Sequence, residues 1–372
     1  ISMARPFLAD PNLMKKALEG ESDKINTCIG CNQACLDHVF KRKIASCLVN
    51  PRACEEGKWF DPEIKLKSNG KKVAVVGGGP AGMSCASELA TLGFSVTLFE
   101  QSQELGGQFN VAKLIPGKNE FHSTIRHFSN RLLDLGVDVR LNTKADLESL
   151  KSGEFTDVVI ASGVLPRQWK IPGSDCAKVV NYLEVLKGEV TVGDKVAIIG
   201  AGGIGFDVAD FLTHDADAEG FHKSWGIDES LSERGGITTP TRTQSKRTIH
   251  LLQRSSGKPG AKLGKTTGWI HRMTLKKRGV TMWAGIKYSS LESDGLHLTH
   301  PEQGAITLNV DTIVVCAGQT SFAPLLEDLK TADIKVSLIG GALSSQGLDA
   351  QRAIREGLVL ANKLASTLAT KL

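Results

Sequence analysis

KKVAVVGGGPAGMSCASELATLGFSVTLFE, residues 71–100, passes from an apolar run through a glycine cluster into small helix-forming residues, then into a second apolar run that ends on an acid. This order predicts strand, tight turn, helix and strand. Gly77 permits the turn, Gly79 lets the backbone approach a pyrophosphate, and Gly82 lets the helix pack closely on the strand. Free N–H groups and the dipole at the helix start favour the phosphates. Glu100 lies 23 residues past Gly77, near the ~20 expected of an acid that accepts hydrogen bonds from a ribose. The competing reading, a glycine-rich turn in some other parallel-sheet protein, accounts for the glycines but not for the terminal acid at that distance. The stretch therefore sets the fold class as α/β, with a Rossmann-like parallel sheet.

A second copy follows at DKVAIIGAGGIGFDVADFL, residues 194–212, with Gly200, Gly202 and Gly205 in the same three places. Its continuation differs. Polar, Gly- and Ser-containing sequence from about Thr213 to Lys246 reads as an inserted loop, and the next apolar strand, TIHLLQR (248–254), ends on Arg254 rather than an acid, with Ser255, Ser256 and Lys258 just beyond. A cation in place of the ribose carboxylate favours a 2′-phosphate, and so NADP(H) over NAD(H). The plainer reading is a solvated strand end. Two dinucleotide folds in one chain suit one flavin and one nicotinamide nucleotide. LGGQ (105–108) places the pair Gly106 and Gly107 where backbone can lie against a flavin nucleotide, while DVVIASGVLPR (157–167) and DTIVVCAGQTS (311–321) read as strands ending in crossings between domains. VSLIGGALSSQGLDAQRAIREGLVLANKLAS (336–366) reads as a last strand, a glycine turn and an amphipathic helix whose start suits negative charge on a reduced flavin.

The chain has 372 residues, a formal net charge of +5 and eight cysteines. That length suits two or three domains. The mild positive charge, without a concentrated Lys/Arg stripe, does not point to nucleic acid and serves phosphate-bearing cofactors equally well. No apolar run reaches membrane-spanning length and no secretory leader pattern opens the chain, so the expectation is a soluble, cytoplasmic protein. Scattered Cys54, Cys85, Cys176 and Cys316 suit reduced thiols. Ile1 to Ala4 reads as the end of a buried strand running into a turn at Arg5-Pro6, as in the C-terminal portion of a longer polypeptide; a natural short protein starting at Met3 is the plainer alternative.

Four cysteines cluster in CIGCNQACLDHVFKRKIASC, residues 28–47, with the spacing C-x2-C-x3-C-x11-C: Cys28, Cys31, Cys35 and Cys47. Four thiolates hold either zinc or an iron–sulfur cluster. Three close ligands and one distant favour the cubane cluster, because structural zinc usually takes two C-x2-C pairs. A neighbouring flavin adds weight, since it converts the two-electron hydride of a nicotinamide into the single electrons a cluster carries. A disulfide pair is the remaining alternative.

SMARPFLADP, CIGCNQACLD, the Cys47 spacing with NPRAC after it, VVGGGPAGM, IIGAGGIGFDVADFL, GKTTGWIHR and LDAQRAIREG together resemble the old-yellow-enzyme-like iron–sulfur flavoenzymes, the family of bacterial NADPH-dependent 2,4-dienoyl-CoA reductases and trimethylamine dehydrogenase. The resemblance covers essentially the whole chain but only the C-terminal part of such an enzyme, whose N-terminal (β/α)8 barrel binds FMN and the substrate. It implies a path from NADPH to FAD, through a 4Fe-4S cluster on the four cysteines, to FMN and an unsaturated acyl-CoA, with FMN and acyl-CoA engaged only through the barrel. Carried over, Gln33, Gly79, Glu100, Gln108 and Lys118 bind FAD, Ala4 and Arg5 match the turn around the FMN phosphate, and Gly341-Ala342 stands where a Gly-Asp pair often holds the ribitol. No catalytic proton donor is assigned, because neither Tyr182 nor Tyr288 falls in barrel sequence. The expected domains are a barrel remnant at 1–24, an iron–sulfur segment at 25–69, an FAD domain at 70–189 and 319–372, and an NADPH domain at 190–318. Two alternatives stand beside this: an NADPH:acceptor oxidoreductase like the glutamate synthase small subunit, and a structural ADP-binding module.

Overall fold

The computed structural model describes residues 2–61, 71–214, 220–241 and 245–369. The chain divides into two compact units, one formed by Ile1–Lys113, Gly117–Leu165 and Gln319–Leu372, the other by Leu114–Pro116 and Pro166–Gly318.

Each unit is built on a five-stranded sheet whose paired strands are all parallel. In the first unit the order is Val336–Leu338, Asp157–Ile160, Lys72–Val76, Ser95–Phe99 and Asp138–Arg140. The second unit repeats it with Val179–Asn181, Thr312–Val315, Lys195–Ile199, Thr248–Leu252 and Thr281–Trp283. Each central strand is a short run of β-branched and small apolar residues buried over most of its length, the pattern of a strand covered on both faces. Because the strand order reverses beside Lys72–Val76 and beside Lys195–Ile199, a crevice opens at the carboxyl ends of these strands in each unit.

The helix Pro80–Thr91 packs behind the first glycine turn, with Met83, Cys85, Ala86 and Leu89 inaccessible to solvent. The long helix Ala350–Ala369 lies against it, and the Ser84 hydroxyl donates to the Ile354 carbonyl at 2.8 Å. Small residues bring the two helices this close: a Cβ on Gly357 would come within 2.6 Å of the Ala81 carbonyl oxygen. The second unit adds a three-stranded antiparallel sheet, Lys287–Glu292, Gly295–His300 and Gly304–Leu308.

Four expectations need correction. Residues 2–4 form no strand; Arg5–Ala9 is a helix, because Pro6 fixes φ in its first turn, where a missing N–H costs nothing. Residues 1–24 and 25–69, expected as segments of their own, belong to the first unit in their described part: Ala9, Ala34, Leu48 and Val49 share one buried cluster with Val73, Val75 and Leu89. The break between units falls after Leu165 rather than 189, because Val179–Asn181 pairs with Thr312–Val315 and so joins the second sheet. The inserted segment carries structure of its own, a helix Phe221–Trp225 and a 3-10 turn Arg234–Gly236; residues 215–219 and 242–244 within it lie outside the described residues.

Candidate functional site

In the first crevice three glycines do different work. Gly77 has φ +115, and a Cβ there would meet the Ala161 carbonyl oxygen at 2.5 Å; a Cβ on Gly82 would lie 1.9 Å from the Gly77 carbonyl oxygen. Both are packing requirements of turn and helix. Gly79 is different, since its Cβ would find nothing nearer than the Gly107 Cα at 4.0 Å, whereas a Cβ on Gly107 would press to 2.9 Å of the Gly79 Cα. The two bare backbones thus face each other beside the start of the helix Pro80–Thr91, a cradle that a ligand's phosphates fit and side chains would fill.

Glu100 follows the strand Ser95–Phe99 directly and is buried. Its Oε2 accepts from the Gly78 N–H at 2.7 Å and its Oε1 from the Ser102 N–H at 2.7 Å. A carboxylate oxygen has two acceptor sites, so each retains one for a ribose hydroxyl. Gln108 is exposed, and its Oε1 accepts from Gln319 Nε2 at 3.4 Å; Lys118 is half-buried. Gly341 lies in the buried turn Gly340–Ala342, where a Cβ would come within 2.6 Å of Val164 Cγ1. The neighbouring Ala342 is 3% exposed, so it turns no polar side chain to a ribitol. The turn is held instead by Glu356, whose Oε2 accepts from the Gly340 N–H at 2.6 Å.

Cys28, Cys31, Cys35 and Cys47 line one cavity with Arg5, Leu8 and Val49. Burial pushes the Cys31 thiol up to about 11 and also raises Cys47, each further opposed by the other cysteines' charge. Backbone N–H groups work the other way: Gln33 donates to the Cys31 sulfur, and Val49 and Asn50 to that of Cys47. Burial thus favours the neutral thiol at Cys31 and Cys47, and a cation among the sulfurs would favour the thiolate. Among the described residues the single group of three metal-capable side chains with ligand atoms within 4.8 Å of one another is the largely exposed Glu292, Asp294 and His297.

Sequence reasoning missed several residues of this region. Asn32, held at φ +58 between two cysteine ligand candidates, accepts from Arg5 Nη1 at 2.7 Å, so the residue expected at an FMN phosphate is tied to the cysteine loop. Asn among paired cysteines was the available signal, as it tolerates the left-handed region. Arg52 pairs with the buried Glu88, and Arg355 with Glu55 at 2.6 Å while lying over the Trp59 ring. These ion pairs fasten the cysteine segment to the helices Pro80–Thr91 and Ala350–Ala369, and no local pattern announces them. Gln33 and Ala4 are both exposed.

The second crevice repeats the first. Gly200 has φ +110 with a Cβ position 2.5 Å from the Cys316 carbonyl oxygen, a Cβ on Gly205 would lie 1.8 Å from the Gly200 carbonyl oxygen, and Gly202 has open space. The strand ends at Leu252, earlier than expected, so that Arg254 and Lys258 stand on the following loop, both exposed. The buried Tyr288 hydroxyl has no hydrogen-bond partner among the described residues; burial raises its pKa against the opposing charge of Arg254. Among the described residues, no helix is long and apolar enough to cross a membrane.

A sequence profile of the pyridine nucleotide-disulphide oxidoreductase family matches residues 71–342. A metal reductase of Desulforamulus reducens is 31% identical over 92% of this chain and 51% of its own length. A cinnamate reductase of Clostridium sporogenes is 36% identical over 57% of this chain and 31% of its own. Among solved structures, a 2-naphthoyl-CoA reductase in complex with 2-naphthoyl-CoA superimposes with a TM-score of 0.82 at 28% identity, over 97% of this chain and 50% of that one. The chain spans about half the length of the curated relatives it matches over most of its own length.

Proposed function

The chain belongs to the pyridine nucleotide-disulphide oxidoreductase family, with homologues among the old-yellow-enzyme-like flavoenzymes, and on that premise we propose that it is the electron-input portion of an NADPH-dependent reductase. FAD occupies the first crevice, NADPH the second, and a 4Fe-4S cluster sits on Cys28, Cys31, Cys35 and Cys47. The observation that supports this most is the four cysteines lining one cavity, in the same compact unit as a glycine crevice.

When bound, FAD supplies the exchange between a two-electron hydride donor and a one-electron cluster. The residues of the chain do the rest. Gly79 and Gly107 give a pyrophosphate access to bare backbone, and the N–H groups that open the helix Pro80–Thr91 face its charge. Glu100 accepts from the adenosine ribose. The N–H donors at Gln33, Val49 and Asn50 stabilise negative charge on the cysteine sulfurs, and Arg5 adds a cation at the cavity wall. Arg254 and Lys258 provide the charge that a 2′-phosphate requires.

The finer reading is that electrons pass on to FMN, in the part of the relatives that this chain does not span, for reduction of an unsaturated acyl-CoA such as a 2,4-dienoyl-CoA in the cytoplasm. It is supported by the quoted motifs and by relatives named for cinnamate and for 2-naphthoyl-CoA. Anaerobic reconstitution followed by iron, sulfide and flavin analysis tests the cofactor set: four irons, four sulfides and one FAD per chain are expected, and a single zinc with no flavin removes the reading.

A further inference from the structure

The loop after the strand Thr248–Leu252 carries the two cations discussed above, and its backbone has an unusual division of labour. Of its carbonyls, those of Gln253, Ser255 and Gly257 are engaged. Gln253 Nε2 donates to the Ser255 carbonyl at 3.0 Å and to the Gly257 carbonyl at 3.2 Å; Ser255 also accepts from the Gly285 N–H at 3.0 Å, and Gln253 from that of Ile286 at 3.0 Å. Its N–H groups are not: none of the five from Arg254 to Lys258 has an acceptor among the described residues. Consecutive donors without acceptors, joined by Arg254, Lys258 and two serine hydroxyls, are the makings of an anion nest. An exposed loop can turn its carbonyls into such a space as readily as its N–H groups, and the Gln253 amide, donating twice, holds back those of Ser255 and Gly257.

We propose that Gln253 is the positioning residue for nucleotide preference: its side-chain amide holds two loop carbonyls and thereby keeps the donors at 254–258 available to a 2′-phosphate. This deepens the NADPH reading and rests on it. Gln253 itself does not touch the phosphate. Its N–H is taken by the Trp283 carbonyl at 2.9 Å, so the backbone at 253 stays in register with the sheet whatever the side chain is, and a substitution acts on the loop rather than on the strand.

The test compares 2′,5′-ADP, which carries the 2′-phosphate, with 5′-AMP, which lacks it, by calorimetry on the whole chain with no turnover needed. Gln253→Met keeps length without the donor, and Gln253→Glu replaces the donor with an acceptor. The Met variant is expected to bind 2′,5′-ADP at least fivefold more weakly and the Glu variant at least tenfold, while 5′-AMP affinity changes less than twofold in both. Wild-type affinity for 2′,5′-ADP in the Met variant, or equal weakening for both ligands, would overturn the assignment, the second outcome showing that Gln253 supports only the fold. If the wild-type chain itself shows no preference for 2′,5′-ADP, it is the NADPH reading that fails, and the role of Gln253 falls with it.

Discussion

The Glu100 carboxylate and the Gly78 N–H are joined across the first crevice by a 2.7 Å hydrogen bond, so that one acid both closes the glycine turn and faces the adenosine ribose of the proposed FAD. Glu100→Ala leaves the N–H groups of Gly78 and Ser102 without their acceptor, at a cost of ~1–3 kcal/mol for a buried donor. The expected result is a lower melting temperature together with flavin loss on gel filtration. Glu100→Gln keeps one acceptor oxygen but turns an NH2 to the other N–H, so it should lose less stability than the alanine variant while still binding flavin more weakly.

The glycines should divide into two classes. Gly82→Ala and Gly205→Ala drive a Cβ into the carbonyl oxygens of Gly77 and Gly200, at 1.9 and 1.8 Å in the present backbone, and overpacking of this kind costs ~1–3 kcal/mol. Gly79→Ala and Gly202→Ala meet no protein atom closer than 4.0 Å. Thermal denaturation should fall for the first pair and hold for the second, and flavin or nucleotide binding should drop for the second pair although the fold is intact.

This division marks how far the sequence could be read. Gly77, Gly82, Gly200 and Gly205 were legible because a tight turn and a close helix are local requirements with a fixed spacing. The parallel sheets were legible from the apolar runs for the same reason. Residues 166–189 were not, since whether Val179–Asn181 pairs in one sheet or the other is decided by distant Thr312–Val315. Arg52–Glu88 and Arg355–Glu55 span long separations that no periodicity records. The four cysteines were found by spacing, but their shared cavity and the Arg5–Asn32 contact exist only in three dimensions.

Cys31→Ser should lower both iron and acid-labile sulfide per chain while leaving nucleotide binding largely unchanged, because the cysteine cavity and the second crevice are built from different residues. Full iron in this variant would remove Cys31 from the ligand set.

Arg254→Ala removes a charge-assisted contact worth ~2 kcal/mol, roughly thirtyfold in affinity. The apparent KM for NADPH should rise by about that factor, and that for NADH should change little. Equal effects on both would mean that Arg254 has another role.

His127 gives a pH dependence of stability. Its Nδ1 lies 3.0 Å from the Lys24 carbonyl oxygen, and burial pushes its pKa down to about 4 from the ordinary 6.5. The unfolded chain therefore takes up a proton below about pH 6.5 that the folded chain accepts only near pH 4, so stability is complete above 6.5 and is lost as pH falls through that window. By pH 5 the loss from this group is about 2 kcal/mol. Urea unfolding at pH 7.5 and 5.0 should show His127→Gln losing less stability on acidification than the wild type, by about that amount; equal losses would show that His127 does not titrate in this way.

The central claim is that NADPH electrons enter this chain and pass from flavin to a cluster. Its most direct test is an anaerobic titration of the reconstituted chain with NADPH, followed by visible absorbance, with a 2,4-dienoyl-CoA added at the end. The account predicts bleaching of the flavin bands and then of the broad cluster shoulder, reoxidation by ferricyanide, and no reduction of the thioester by this chain alone. Flavin bands that NADPH leaves unchanged, or a chain that takes up only ADP, would contradict it.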